Sequence, residues 1–211
     1  MDMVQKVKSK KIHLQQAISK EPFKFIANLL IFLSLILLLF IFWPVTKEEV
    51  KYQINKTITK EENLTPPNKD FAIVIPKIRA VAPVIKNVDP YNKNVFLPAL
   101  KKGVAHAKGT SLPSENGNVY LFAHSTDAFY NVGTYNAVFY LIGKLEKNDE
   151  VKIYYNNIEY SYRVTEKKVV NANDSHYLIQ KTNEKILTLQ TCYPPGTTLK
   201  RLVVIAKLDR W

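Results

Sequence analysis

The sequence predicts a mostly β domain, closed or nearly closed into a barrel with short helices, behind one N-terminal transmembrane helix. Three observations predict it. The chain has 211 residues, enough for one domain with a core plus an anchor, and too few for two full domains and an anchor. One apolar run near the N-terminus is long enough to cross a bilayer. From Phe71 onward, short apolar runs broken by turn residues outnumber helical patterns.

The apolar run is Phe25–Trp43. It has nineteen residues, interrupted only by the polar Asn28 and Ser34. At about 1.5 Å per residue it matches a hydrocarbon core of roughly 30 Å. Trp43 suits the interface and Pro44 ends the helix. A buried core helix would show a polar face, and this run has none. A cleaved signal peptide would have a shorter apolar region followed by small residues, whereas bulky Phe42-Trp43-Pro44 follows here. Residues 1–24 carry six lysines against Asp2 and Glu21, a net +4. The positive-inside rule keeps that tail in the cytoplasm and places the C-terminal part outside. Residues 44–69 are charged, lack a sustained apolar period and end in Thr65-Pro66-Pro67-Asn68. They read as a stalk. The domain is then residues 70–211.

Within the domain, Phe71–Ile75 is a short strand stopped by Pro76. Val81–Lys86 is a second strand. Asn118–His124 is a third, entered through the turn-like Pro113–Gly117. Glu150–Tyr155 and Ile158–Val170 flank Asn156-Asn157, a pair suited to a tight hairpin turn. Ile186–Cys192 and Arg201–Leu208 complete the set. Short helices are expected near Tyr91–Lys101, Asn136–Leu141 and Ser175–Ile179. Many short strands with brief helices are the pattern of a barrel.

The net charge of +12 suits nucleic acid, an anionic membrane or an acidic wall polymer. In residues 70–211, nineteen Lys/Arg face twelve Asp/Glu, a surplus of seven spread along the domain. There is no zinc-finger spacing, RNA-recognition signature or Arg-rich helix, so nucleic acid is not an expected partner. The sequence has no convincing acidic cluster for calcium, and Glu115 and Asp127 alone are too few for a site. No metal and no cofactor are expected. A single cysteine excludes an intramolecular disulfide.

That cysteine, Cys192, ends the strand Ile186–Cys192. Side chains alternate faces along a strand. Leu187 and Leu189 then take the core face, and Thr188, Gln190 and Cys192 the other. In the next strand Leu202, Val204, Ala206 and Leu208 take the core face, and Arg201 leads the opposite one. If the strands pair across the Pro194-Pro195-Gly196 loop, a thiol and a guanidinium meet at one mouth. An inert strand end beside a surface arginine fits the same pattern. A nucleophilic thiol needs a cation or imidazole to lower its pKa. His13 lies in the cytoplasmic tail, His176 in a polar surface stretch, and His106 in a loop-like segment. His124 closes the apolar strand Val119–Ala123 and is the best-placed partner.

Thr188-Leu189-Gln190-Thr191-Cys192 resembles the sortase signature Thr-Leu-x-Thr-Cys. Arg201 follows nine residues later at the start of an apolar strand, as in that family. Asn118–Ser125 resembles the segment carrying the sortase catalytic histidine, with Ala123 where many members have Gly. The Gly103–Thr110 stretch around His106 resembles the loop that precedes it. The resemblance covers about residues 70–208. It implies a closed sortase-like barrel of about eight strands and a membrane-anchored cysteine transpeptidase. Cys192 would be the nucleophile, His124 the general acid and base, and Arg201 the stabiliser of the substrate carbonyl or oxyanion. Thr191 and Ser125 are expected to bind substrate; the aromatic stretch Phe129–Tyr140 fits a wall of the peptide groove and fits ordinary core and rim aromatics at least as well. The implied partners are surface proteins with a Leu-Pro-x-Thr-Gly-like motif, and an amine acceptor from a cell-wall precursor or a pilin lysine. A secreted cysteine peptidase using water, and a non-catalytic wall-binding module, are the alternatives.

Overall fold

The structure, a computed structural model, describes residues 23–39, 50, 64–125 and 138–210. The chain divides into two units, residues 1–51 and 52–211.

In the first unit, residues 23–39 form helix α1. Its apolar side chains are exposed all round, among them Phe25, Leu29, Leu33 and Leu37. Ser34 turns its hydroxyl back to the Ile31 carbonyl at 2.8 Å, so its one interior polar hydroxyl is satisfied locally. Among the described residues no helix is long and apolar enough to cross a membrane. The last four residues of the span expected over Phe25–Trp43 lie outside the described residues, as does most of the expected stalk.

The second unit is a closed barrel of eight strands: β1 (Phe71–Ile75), β2 (Ala80–Val88), β3 (Val104–Ala107), β4 (Gly117–Phe122), β5 (Glu150–Tyr155), β6 (Ile158–Asn171), β7 (Lys185–Tyr193) and β8 (Lys200–Arg210). Round the barrel they run β1-β2-β3-β4-β7-β8-β6-β5, and β5 pairs back onto β1. Closure removes the free edges that an open sheet exposes. The strand starting at Phe71 is set by Asn68, whose side-chain oxygen accepts from the Asp70 and Phe71 N–H groups at 3.1 and 3.0 Å. The hairpin between β5 and β6 turns through Asn156 and Asn157, both at positive φ (49° and 65°). Asparagine tolerates that region, which matches the twist of the flanking strands. Helix α2 (Lys93–Leu100) begins at Asn92, whose side chain caps the Asn94 N–H at 3.0 Å. Helix α3 (His176–Ile179) is one turn.

Two pairings are parallel, β2 with β3 and β4 with β7. The second decides where the site lies. A parallel pair needs a long crossover, and here it carries β5, β6 and α3. The inward faces of β4, β7 and β8 supply Leu121, Leu187, Leu189, Val204 and Ala206, all fully buried. Gly103, before β3, lies so close to β2 that a Cβ would collide with the Pro83 carbonyl oxygen.

One expectation is corrected here. His106 is not in a loop. It lies in β3 and is fully buried, bridging three elements. Its Nε2 is 3.1 Å from both the Ser111 carbonyl and Thr110 Oγ1, and its Nδ1 accepts from the Asn87 N–H at 3.4 Å. Flanking glycine and alanine disguised a four-residue strand as a loop. Thr188, on the face opposite the core, is also fully buried. Its hydroxyl donates to Asn118 Oδ1 at 2.8 Å, and Asn118 Nδ2 donates to the Tyr177 carbonyl at 2.7 Å. Helix α3 therefore roofs the lower part of the outer face.

Candidate active site

Strand β7 lies between β4 and β8, so its outer face is shared with one neighbour on each side. On the β8 side, Cys192 is directly opposite Arg201 in the antiparallel register. Both are half-buried. On the β4 side the parallel register runs from Gly117↔Lys185 to Phe122↔Gln190. The ladder continues past the end of β4: the Ala123 N–H donates to the Gln190 carbonyl at 3.1 Å. Thr191 Oγ1 then donates to the Ala123 carbonyl at 2.9 Å. His124 and Cys192 each follow directly on the residues, Ala123 and Thr191, that this bond joins. Tyr120, Phe122 and His124 share parity with Thr188, Gln190 and Cys192, so they face the same way. The backbone thus sets Cys192 and Arg201 opposite each other on adjacent strands at one end of one outer face, with His124 two residues past the end of β4, the neighbour on the other side.

Arg201 is held in place by the loop it follows. Its Nη1 donates to the Thr198 carbonyl at 3.1 Å and to the Lys200 carbonyl at 3.0 Å. A guanidinium has five N–H donors, and Nε and Nη2 make no hydrogen bond among the described residues. His124 is half-buried and engaged with its surroundings. Cys192 is a free thiol.

Thr191 and Ser125 are placed differently from the expectation. Both are buried, at 3% and 2% exposure. The Thr191 hydroxyl is spent on the Ala123 carbonyl. It braces the junction that carries His124 and offers no donor to a groove. Of the aromatic stretch Phe129–Tyr140, residues 129–137 lie outside the described residues. Phe139 is fully buried, and Tyr140 packs against the core.

Sequence reasoning missed a polar pair beneath the site. The Tyr120 hydroxyl donates to Gln190 Oε1. Burial holds the Tyr120 phenol well above its ordinary value of 10, while the Arg201 charge pulls it down. At neutral pH it is a protonated donor. Parity was the available signal: Tyr120 stands four residues before His124, and Gln190 two before Cys192. Above them the ring of Phe96, from α2, meets that of Phe122 edge-on at 6.3 Å.

A family model described as a sortase domain matches residues 73–209. Sortase D of Bacillus subtilis (strain 168) is 30% identical over 136 residues, covering 63% of this chain and 60% of that protein. Sortase A of Listeria monocytogenes serovar 1/2a is 28% identical over 210 residues, covering 85% of this chain and 90% of that protein. Among solved structures, a Sortase D5 transpeptidase of Clostridium perfringens superposes with a TM-score of 0.55 at 26% identity. That match covers 78% of this chain and 95% of the other.

Proposed function

The chain belongs to the sortase family, whose members are cysteine transpeptidases, and from that premise we propose that it is a membrane-anchored sortase acting on surface proteins. Residues 25–43 anchor it, residues 1–24 stay in the cytoplasm, and the barrel works outside the membrane. The substrate carries a Leu-Pro-x-Thr-Gly-like motif. No nucleic acid takes part.

The Cys192 sulfur attacks the carbonyl carbon of the motif's threonine. The C–N bond to the next residue breaks, a C–S thioester forms, and His124 gives its proton to the leaving amine. An amine from a cell-wall precursor or a pilin lysine then attacks the thioester. It loses a proton to His124 as Cys192 leaves. The free N–H groups of Arg201 face the carbonyl oxygen where negative charge develops in both steps. The observation that carries this reading is the register: Cys192 opposite Arg201, with the strand end bearing His124 on the other side.

Incubating the full chain with a library of motif peptides and trapping the thioester by mass spectrometry tests it. We expect an acyl adduct on Cys192, none in the Cys192→Ala variant, and strongly slowed adduct formation in the His124→Ala and Arg201→Ala variants. Product analysis with an added amine then separates transfer from hydrolysis. Hydrolysed product under every acceptor would reject the transpeptidase reading, and cleavage that survives Cys192→Ala would reject the nucleophile.

A further inference from the structure

At the other end of the face that carries Cys192 lies a cavity of about 700 Å³. Its walls are the β3–β4 loop, the segment around α3 and Tyr91. Among its lining residues are Tyr91, Lys108, Asn118, Ile179 and Lys181, and none is acidic. Tyr91 and Ile179 are largely exposed, at 73% and 67%. Among the described residues neither Lys108 nor Lys181 has an ion-pair partner. Carboxylates stand near the pocket without lining it, each engaged, and Asp174, before α3, accepts from the His176 N–H at 2.9 Å. Glu115 accepts from the Leu112 N–H at 2.9 Å, Glu184 pairs with Lys207 at 2.6 Å, and Asp89 accepts from the Tyr91 N–H at 2.9 Å. The lining therefore carries two cations and no carboxylate, with Tyr91 and Ile179 exposed at its rim.

It is joined to the site by a run of side chains. Asn118, which lines the pocket, is two residues from Tyr120 on the same face of β4. Tyr120 holds Gln190, and Gln190 is two residues from Cys192 on the same face. The floor residue Asn118 is opposite Ile186, six residues from Cys192 along β7. At about 3.3 Å per residue that is roughly 20 Å. The four residues on the acyl side of a sorting motif cover only about 13 Å when extended. Because α3 covers Thr188 on that face, a substrate chain skirts α3 and needs at least two or three more residues to reach the pocket.

We propose that this pocket is an exosite for an acidic segment of the protein substrate, two or three residues N-terminal to the sorting motif, with Lys108 and Lys181 setting the preference for negative charge. The inference rests on the sortase reading above. The acyl segment is the part that stays bound through both steps, so a contact there holds alignment while leaving group and acceptor exchange. Two solvated cations supply a modest, salt-sensitive preference that acts on binding more than on chemistry.

The test uses three peptides with one sorting motif, preceded by three Glu, three Gln or three Lys. Turnover by the full chain is measured, and so is binding to the full-length Cys192→Ala variant by fluorescence anisotropy. We expect the Glu peptide to bind about tenfold more tightly than the Gln peptide at low salt, with most of the gain in KM. The gain should shrink in 0.5 M salt. In the Lys108→Glu/Lys181→Glu variant the order should invert in favour of the Lys peptide. Equal affinity for all three peptides, or an order unmoved by the double charge reversal, overturns the proposal. An oligogalacturonate that outcompetes the Glu peptide, and loses its binding in the same variant, would reassign the pocket to an acidic glycan and overturn it as well. Binding to Cys192→Ala does not need cleavage. Failure of turnover alone therefore counts against the enzymatic reading, and the anisotropy by itself decides for or against the pocket.

Discussion

Arg201 is the residue whose chemistry the fold constrains most. One of its nitrogens is tied to two loop carbonyls, so the fork is fixed, and its other donors make no hydrogen bond among the described residues. A lysine keeps the charge and loses the planar fork. Arg201→Ala should lower kcat/KM by about 10²–10³-fold, the scale of losing an oxyanion donor. Arg201→Lys should recover only part of that. Steady-state kinetics on one motif peptide checks both, and equal activity in Arg201→Lys and the parent would show that charge alone suffices. His106 gives a second prediction at this scale. Burial is the main cause that pushes its imidazole below the ordinary 6.5, with the Lys86 charge adding to it and the Ser111 hydrogen bond and Glu115 opposing. Above pH 6.5 the residue is neutral in folded and unfolded chains, and its contribution is full. Below 6.5 the unfolded chain takes up a proton that the folded chain resists, so stability falls until the lower folded value is passed. Urea midpoints from pH 8 to 5 should therefore decline, and less steeply in His106→Gln. Parallel slopes for the two proteins would show that other groups cause the decline.

At the scale of elements, the β4–β7 junction is where fold becomes function. The parallel ladder ends near Phe122, and the chain then runs out toward His124. One side-chain bond, Thr191 Oγ1 to the Ala123 carbonyl, continues the register past the strand end. Thr191→Val keeps the shape and removes the donor from a buried carbonyl, at a cost of about 1–3 kcal/mol. If the bond positions His124, kcat should fall about tenfold with KM little changed, and Thr191→Ser should restore it. A drop in stability with kcat intact would mark Thr191 as structural only. This junction also shows what sequence can and cannot reveal. Alternation along β7 and β8 was enough to pair Cys192 with Arg201, because a period of two fixes the face and the short Pro194–Gly196 loop leaves little freedom of register. Alternation does not reveal what covers a face. Thr188 and Gln190 share parity with Cys192, yet α3 seals the first and Tyr120 holds the second. Those contacts join residues about seventy apart, Thr188 with Asn118 and Tyr120 with Gln190, and no local pattern records them. His106 was misplaced for a related reason: a four-residue strand between Gly103 and Gly109 has too few residues to show a period.

At the scale of the whole molecule, closure ties the site to the core. Strand β7, which carries Cys192, is paired with β8 from Ile186 to Tyr193 and with β4 from Lys185 to Gln190, so it cannot loosen without opening the barrel. Leu189 makes the point. It faces inward, fully buried, opposite Leu121 on β4 and Val204 on β8. Leu189→Ala leaves a cavity in the layer next to the site and should cost about 2–5 kcal/mol. If the barrel unfolds as one unit, the urea midpoint should drop with the slope unchanged. Activity per folded molecule at low temperature should stay near that of the parent, because the outer face keeps its register through the backbone. A changed slope would mean that β7 and its neighbours detach separately from β5, β6 and β1. A large loss of kcat in fully folded Leu189→Ala would mean that the geometry around Cys192 depends on side-chain packing inside the barrel as well as on the hydrogen-bonded frame.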